Sequence, residues 1–193
     1  MSINDNVIID TLKESPERGF RMLMMKYQEP LYWHIRRLVV SHDDAQDAAQ
    51  ETFVRIYRSF DQYRGDCSFR SWIYRIATNE ALRIISKRRQ EVVSLESAAT
   101  GVNLIQGDNY IDFDDKVAVK LQKAILTLPP KQQLAFNLRY YDELSFEEIA
   151  RIADSTPTSI KASYHVAKEK IVKYMNSNDK VRVLESFLTD FKK

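Results

Sequence analysis

Between Arg64 and Arg89 the chain carries a side-chain set suited to nucleic acid, RGDCSFRSWIYRIATNEALRIISKRR. Seven Arg or Lys stand against two acids, interleaved with Phe69, Trp72 and Tyr74. At about 100° per residue, Ile73, Ala77, Ala81 and Ile84 fall on one apolar helical stripe. Trp72, Arg75, Asn79 and Arg83 fall on another. Aromatic rings stack on bases, guanidinium groups follow phosphates, and an Asn amide hydrogen-bonds a base edge. The chemistry on offer is non-covalent capture of a single strand. The same spacing also suits a core helix with Trp72 buried and the arginines solvated.

A second set is acidic. Asp43, Asp44, Asp47 and Glu51 precede the first Arg of their segment, and residues 43, 47 and 51 line one side of a helix. Such a side is either solvated or a dock for a basic partner. A third set lies in DELSFEEIARIADSTPTSIKASYHVAKEKIVKYM. Ser145 and Glu148 form a capping box, Asp154-Ser155 a tight turn, and Thr156-Pro157 a second helix start. Ile160, Tyr164, Ala167 and Ile171 then give a packed stripe. Two helices joined this way match a helix-turn-helix, whose second helix enters the major groove. Helical hairpins that never touch DNA share the pattern.

Other chemistry is not set up. His34, His42 and His165 are scattered, and Cys67 is alone, which rules out a disulfide or a Cys-based metal site within the chain. There is no Gly-rich phosphate loop, no H-E-x-x-H and no local Ser-His-Asp set. The expectation is no enzyme, no cofactor and no metal. A net charge of +2 makes the distribution of charge more informative than its total. No apolar run approaches the ~20 residues of a membrane span, and the start, SINDN, is polar. A reduced, cytoplasmic setting without membrane insertion is expected.

Helices must position these groups. Only 4 Gly and 5 Pro among 193 residues, with 44% hydrophobic content, point to packed helices. Asn6–Leu12 has helical spacing. Ser15-Pro16 starts a second helix carrying Phe20, Leu23, Met24 and Tyr27. Pro30 is expected to begin a third, with Leu31, Ile35, Leu38 and Val39. Ser41 caps a fourth that runs to Ser59. In the loop 60–68, Gly65 suggests a positive φ. Residues 91–115 hold six acids and no Lys or Arg, a linker composition. A helix with Val117, Leu121, Ala124, Ile125 and Leu128 stops at Pro129-Pro130, and Lys131–Tyr141 forms the next. The final run, VRVLESFLTDF, spaces Val183, Leu184, Phe187, Leu188 and Phe191 as an amphipathic helix, most simply a cap on the second domain. The fold class is therefore all-α. Two small helical domains, 1–90 and 116–176, are joined by an acidic linker, 91–115, and followed by a tail helix, 177–193.

The segment YRGDCSFRSWIYRIATN resembles, without a gap, the promoter-melting segment of the extracytoplasmic-function (ECF) group of bacterial sigma-70 factors. Members commonly read F-R-G-x-S-x-F-x-x-W-L-Y-R-I-A-x-N there. DDAQDAAQETFVRIYRSF is similar to the group's D-A-E-D-x-x-Q-E-x-F-x-R-x-Y, and LPPKQQLAFNLRYYDELS precedes the helix-turn-helix as in its C-terminal domain. The resemblance covers about residues 5 to 175, with the parts in the family's order. It implies a region 2-like first domain and a region 4-like second domain, joined to core RNA polymerase through its β′ and β subunits and directing transcription initiation. Asp43, Asp44, Asp47 and Glu51 would dock on a β′ coiled coil. Tyr63, Arg64, Phe69, Trp72, Arg75, Asn79 and Arg83 would serve the −10 element of promoter DNA, Tyr63 and Asn79 gripping the base. An anti-sigma factor is a further implied partner.

One departure stands out. The family's recognition helices usually read like G-T-V-K-S-R-L-H-R-A-R, but Ser163 and Val166 replace two arginines here and Asp154 replaces the turn Gly. Arg is best suited to bidentate guanine contact, Ser reads bases ambiguously, and Val offers only apolar contact. The −35 element is expected to be read with low guanine dependence by Lys161, Ser163, His165 and Ser159, while Lys161 and Lys168 hold phosphates, which position without specifying. Two other functions are compatible with the residues. A stand-alone helix-turn-helix regulator leaves the acidic side without a role; a sigma-like protein binds polymerase or anti-sigma without directing initiation.

Overall fold

The computed structural model describes residues 3–94 and 116–176, and every regular element among them is helical. The first half holds α1 (Asp5–Glu14), α2 (Pro16–Val39), α3 (His42–Ser59), a 3-10 turn at Phe60–Gln62 and α4 (Phe69–Ser94). The second half holds α5 (Lys116–Leu126), α6 (Pro130–Tyr140), α7 (Phe146–Ile152) and α8 (Pro157–Asn176). The expected linker beyond Ser94 and the expected tail helix, 177–193, lie outside the described residues.

Local chemistry sets the helix starts. Asn4 accepts from the Asn6 amide, and Ser41 accepts from the Asp44 amide. Pro16 opens α2 where its missing N–H goes unmissed. Ser145 and Glu148 cap α7 reciprocally. Two expectations need correction. Pro30 does not start a new helix, because α2 runs through it. An interior Pro costs about 3 kcal/mol or more, yet Leu23, Tyr27, Leu31, Ile35 and Leu38 share one buried stripe on either side of it. Each such side chain contributes about 1.5–3 kcal/mol on burial, so packing wins. And α4 reaches Ser94, beyond the boundary expected at residue 90.

The α2 stripe meets Ala45, Ala48, Phe53 and Ile56 of α3 and Ile73, Ala77 and Ala81 of α4, all buried. Asp5 ties α1 to α2, accepting from Lys26 Nζ at 2.6 Å and Tyr27 Oη at 2.7 Å. In the second half Tyr164 of α8 stacks on Phe136 of α6 (6.0 Å, 17°) and meets Phe146 of α7 edge-on. Asp154 takes φ 47° in the turn between α7 and α8, a conformation Asp tolerates better than most residues. Val40, between α2 and α3, takes φ 67° and packs on Ala118, Val119 and Leu126 of α5. Apart from Val40, the buried apolar residues of both halves form one continuous cluster, with α7 packed on α4 and α6 on α2.

Gly19 marks a close approach of α2 to α1. A Cβ there would stand 2.5 Å from the Leu12 amide nitrogen and 2.6 Å from its Cα. Backbone cannot give way as a flexible side chain does. Gly19→Ala is expected to lower stability by about 1–3 kcal/mol, the usual range for overpacking. Chemical denaturation of the two proteins side by side checks this; an unchanged midpoint would show that α1 shifts freely on α2.

Candidate nucleic-acid and partner surfaces

The loop after α3 builds a small aromatic platform. Gly65 adopts φ 81°, as its presence suggested, and nothing beyond its own chain neighbours lies within 4 Å of where a Cβ would sit. The turn lets Tyr63 donate its hydroxyl to the Cys67 carbonyl at 2.8 Å. Burial raises the Tyr63 pKa, so the phenol stays a neutral donor. Its ring lies 5.3 Å from Phe69 and 5.4 Å from Trp72, and Phe69 stacks under Trp72 at 5.9 Å. Phe69 is only 2% exposed, so it belongs to the core rather than to a binding face. It holds Tyr63 and Trp72 in place. Trp72 is half-buried, while Arg64, Arg75 and Asn79 are exposed. Arg83 is also exposed but pairs with Glu80 at 2.9 Å. The result is an open stripe of Trp72, Arg75 and Asn79 with Tyr63 at its lip.

On α3 the four acids part company. Asp43 and Asp47 are exposed, and no ion pair to either appears among the described residues. Asp44 pairs with Arg88 of α4 at 2.6 Å, and Glu51 lies 3.5 Å from Arg55. Arg55 also reaches the buried Glu80 at 2.6 Å. The expectation of four uncompensated acids is thus corrected: Asp44 and Glu51 have basic partners. Beside these acids α3 forms a groove with α2, of ≈ 1080 Å³, lined by Phe20, Met24, Met25, Trp33, Gln46 and Phe53 among others.

On α8 the buried stripe is as spaced, Ile160, Tyr164, Ala167 and Ile171. Lys161 and His165 are exposed; Ser159, Ser163 and Lys168 are half-buried. By helical angle Lys161 and Lys168 flank one side and Ser159 and Ser163 the other. Opposite the buried stripe lie the exposed Thr158, Ala162 and Glu169.

Sequence reasoning missed the contact between the halves, which centres on Asp142 in the turn between α6 and α7. His34 of α2 donates Nδ1–H to Asp142 Oδ2 at 3.0 Å, since a carboxylate can only accept. Its Nε2 lies 3.0 Å from Thr78 Oγ1 of α4. Arg37 of α2 donates to Asp142 Oδ1 at 2.7 Å and lies over the Tyr141 ring. Arg70 of α4 donates to the Asp142 carbonyl, and Tyr74 Oη stands 3.5 Å from Oδ1. Burial above all, then the Asp142 charge, pushes Tyr74 up to about 12. Thr78, His34 and Asp142 stand in the order of a hydrolytic triad. They are 1%, 0% and 5% exposed, so the relay joins helices and reaches no substrate.

A second contact forms at Glu148 of α7. It accepts from Ser68 and Ser71 at 3.2 and 3.3 Å while keeping its capping bonds to Ser145. Burial favours its neutral form, but the bonds from Ser145, Ser68 and Ser71 outweigh that and hold the carboxyl below its usual range. Arg151 donates to the Asp66 carbonyl at 3.2 Å. The helix-turn-helix half therefore sits against the loop that carries Tyr63. Among the described residues no three His, Cys, Asp or Glu gather as metal ligands, and no helix is long and apolar enough to cross a membrane.

Comparison with known proteins gives the same order of parts. Residues 23–91 match the family model "Sigma-70 region 2" and residues 118–171 match "Sigma-70, region 4". The chain is 29% identical over 178 residues to the RNA polymerase sigma-H factor of Pseudomonas aeruginosa, covering 88% of this chain and 92% of that protein. It is equally identical, over the same length, to the ECF RNA polymerase sigma-E factor of Escherichia coli K12, covering 88% and 93%. Its fold is similar to sigma factor RpoE of Bartonella quintana, solved with the anti-sigma factor NepR (TM-score 0.67, 22% identity, 84% of this chain and 99% of that one). It is also similar to CnrH, solved with the cytosolic domain of CnrY (TM-score 0.68, 16% identity, 91% and 99%).

Asp142→Ala would leave the buried His34 and the partly buried Arg37 without their shared acceptor. Removing one partner of a buried pair costs about 3–5 kcal/mol, here charged to the contact between the halves. Small-angle scattering should show a larger radius of gyration at unchanged helix content. An unchanged radius would mean that the apolar contacts suffice to hold the halves together.

Proposed function

This chain belongs to the ECF group of the bacterial sigma-70 family, and we propose that it binds core RNA polymerase and directs promoter-specific transcription initiation. The observation that carries the division of labour is the open stripe of Trp72, Arg75 and Asn79 with Tyr63 at its lip. Tyr63 and Trp72 offer ring faces to an unstacked base, Asn79 a base-edge amide, and Arg64 and Arg75 charges to the backbone. Phe69 serves this site from beneath. The α8 helix takes the −35 duplex, with Lys161 and Lys168 on phosphates and His165, Ser159 and Ser163 toward bases. With neither Ser163 nor Val166 able to fork onto guanine, discrimination falls mainly on the first half.

The exposed side of α3, with Asp43, Asp47 and Gln50, docks on polymerase, and the adjoining α2–α3 groove extends that face. Work of this kind is recruitment and strand capture, without covalent chemistry or a cofactor, in the cytoplasm where polymerase and promoter meet. The two promoter elements lie about two turns of duplex apart, at roughly 34 Å per turn. Halves that touch through Asp142 and Glu148 cannot span that distance, so they part on the enzyme. The solved complexes of similar folds with anti-sigma factors support a partner of that kind for the closed form.

Run-off transcription with core polymerase tests the whole reading. Tyr63→Ala should weaken single-strand binding by about 1–3 kcal/mol, and Asn79→Ala should relax base preference at one −10 position. If both variants initiate normally, the site is misassigned.

Charge reversal tests the docking face separately. Asp43→Lys with Asp47→Lys lies on exposed side chains and should leave stability within about 1 kcal/mol. Core binding measured by pull-down should fall at least about tenfold, ~1.4 kcal/mol. Undiminished capture of core enzyme would move the dock elsewhere.

A further inference from the structure

Glu80 follows Asn79 on α4, yet the function above gives it nothing to do. Its side chain is 2% exposed, and a carboxylate so placed is costly unless it is paired. Its two oxygens are divided between two arginines. Arg55 Nε of α3 stands 2.6 Å from Oε1, and Arg83 Nε of α4 donates to Oε2 at 2.9 Å. Both arginine side chains are about half exposed, 52% for Arg55 and 56% for Arg83. The negative charge is hidden and the two positive charges are presented.

The way the arginines are held matters. A guanidinium is a planar fork of five N–H donors, and Nε supplies one of them. An Arg held by Nε keeps its terminal N–H groups for a ligand, in a plane that is already fixed. Here two such forks stand on one carboxylate, side by side across the seam between α3 and α4. Phosphate, with acceptor oxygens on every side, is the anion that guanidinium forks fit best. Glu51 stands 3.5 Å from Arg55 Nε, but it is 40% exposed, and a solvated pair of this kind contributes little against a bound anion. Arg83 lies one turn beyond Asn79, about 40° away around α4. The pair therefore continues the stripe of Trp72, Arg75 and Asn79 toward the C-terminal end of that helix.

We propose that Arg55 and Arg83 form a seat for backbone phosphate of the captured strand, next to the base held at Tyr63 and Asn79. Glu80 is the positioning residue that holds both guanidiniums in that seat. The proposal rests on the −10 site assigned under the proposed function and adds to it a residue of α3 and a buried carboxylate.

The test uses the full chain assembled with core polymerase. The probe is a fluorescent single strand, the non-template −10 strand of a promoter found by run-off transcription, titrated at several salt concentrations. Arg55→Ala and Arg83→Ala should each reduce the slope of log K against log salt by about 0.7, the share of one phosphate contact to a single strand. Each variant leaves the other Arg on Glu80, so the buried carboxylate keeps a partner. Glu80→Gln makes the chain more positive by one charge. Charge alone would then tighten binding; loss of positioning weakens it instead, by about threefold to tenfold. Glu80→Asp keeps the charge but is one methylene shorter, too short to serve both arginines. It should weaken binding likewise, and it carries this arm if the Gln variant does not fold. An unchanged slope in either arginine variant overturns the seat. Binding by the Glu80 variants as tight as the parent's, or tighter, overturns the positioning role and leaves Glu80 as a tie between α3 and α4. Tyr63→Ala separates the two levels. If it binds the strand normally, the −10 site itself is misassigned; if it binds weakly while both arginine variants keep the parent slope, the seat alone fails.

Discussion

One carboxylate organises the closed shape of this molecule. Asp142 sits in a turn between two short helices, and four side chains from the other half converge on it: His34, Arg37, Arg70 and Tyr74. Each donor comes from α2 or α4, the helices that also carry the core of the first half. The group is buried, so its charge is compensated by these partners rather than by water. A contact of this kind is selective because it is polar. Apolar surfaces slide and repack, whereas a buried ion with several directional donors admits one arrangement.

That arrangement sets the terms on which the chain meets DNA. Glu148 and Arg151 hold α7 against Ser68, Ser71 and the Asp66 carbonyl, beside the aromatic platform. The platform is rigid from below, where Phe69 is packed, and free only along Trp72, Arg75 and Asn79. A base-binding surface gains from such support, because side chains already fixed lose little freedom on binding. The closed contact therefore borders the proposed recognition surface without rebuilding it.

Most of what was legible in the sequence was local. Ser41, Ser145 with Glu148, and Pro16 act within a few residues of themselves, and each marks a helix start as read. Gly65 likewise announced its own backbone angle. The burial of Ile73, Ala77 and Ala81 followed from a period that one helix contains. What failed depended on neighbours. Pro30 reads as a break until the buried residues on both sides of it are seen to share a core. Phe69 and Trp72 are alike as aromatics near a basic helix, and only packing separates the buried ring from the half-open one. Asp44 and Glu51 looked uncompensated because Arg88 and Arg55 are four or more residues away, on another helix or the next turn. His34 and Asp142 stand 108 residues apart, and no spacing rule joins them.

Val40 gives the closed form a mechanical side. A β-branched residue at φ 67° is strained, by about 1–3 kcal/mol for conformations of this kind. It persists where surrounding structure overdetermines it, and here that structure is α5, through Ala118, Val119 and Leu126. The turn between α2 and α3 is therefore wound in one half and braced from the other: a strained residue of the first half is held in place by a helix of the second.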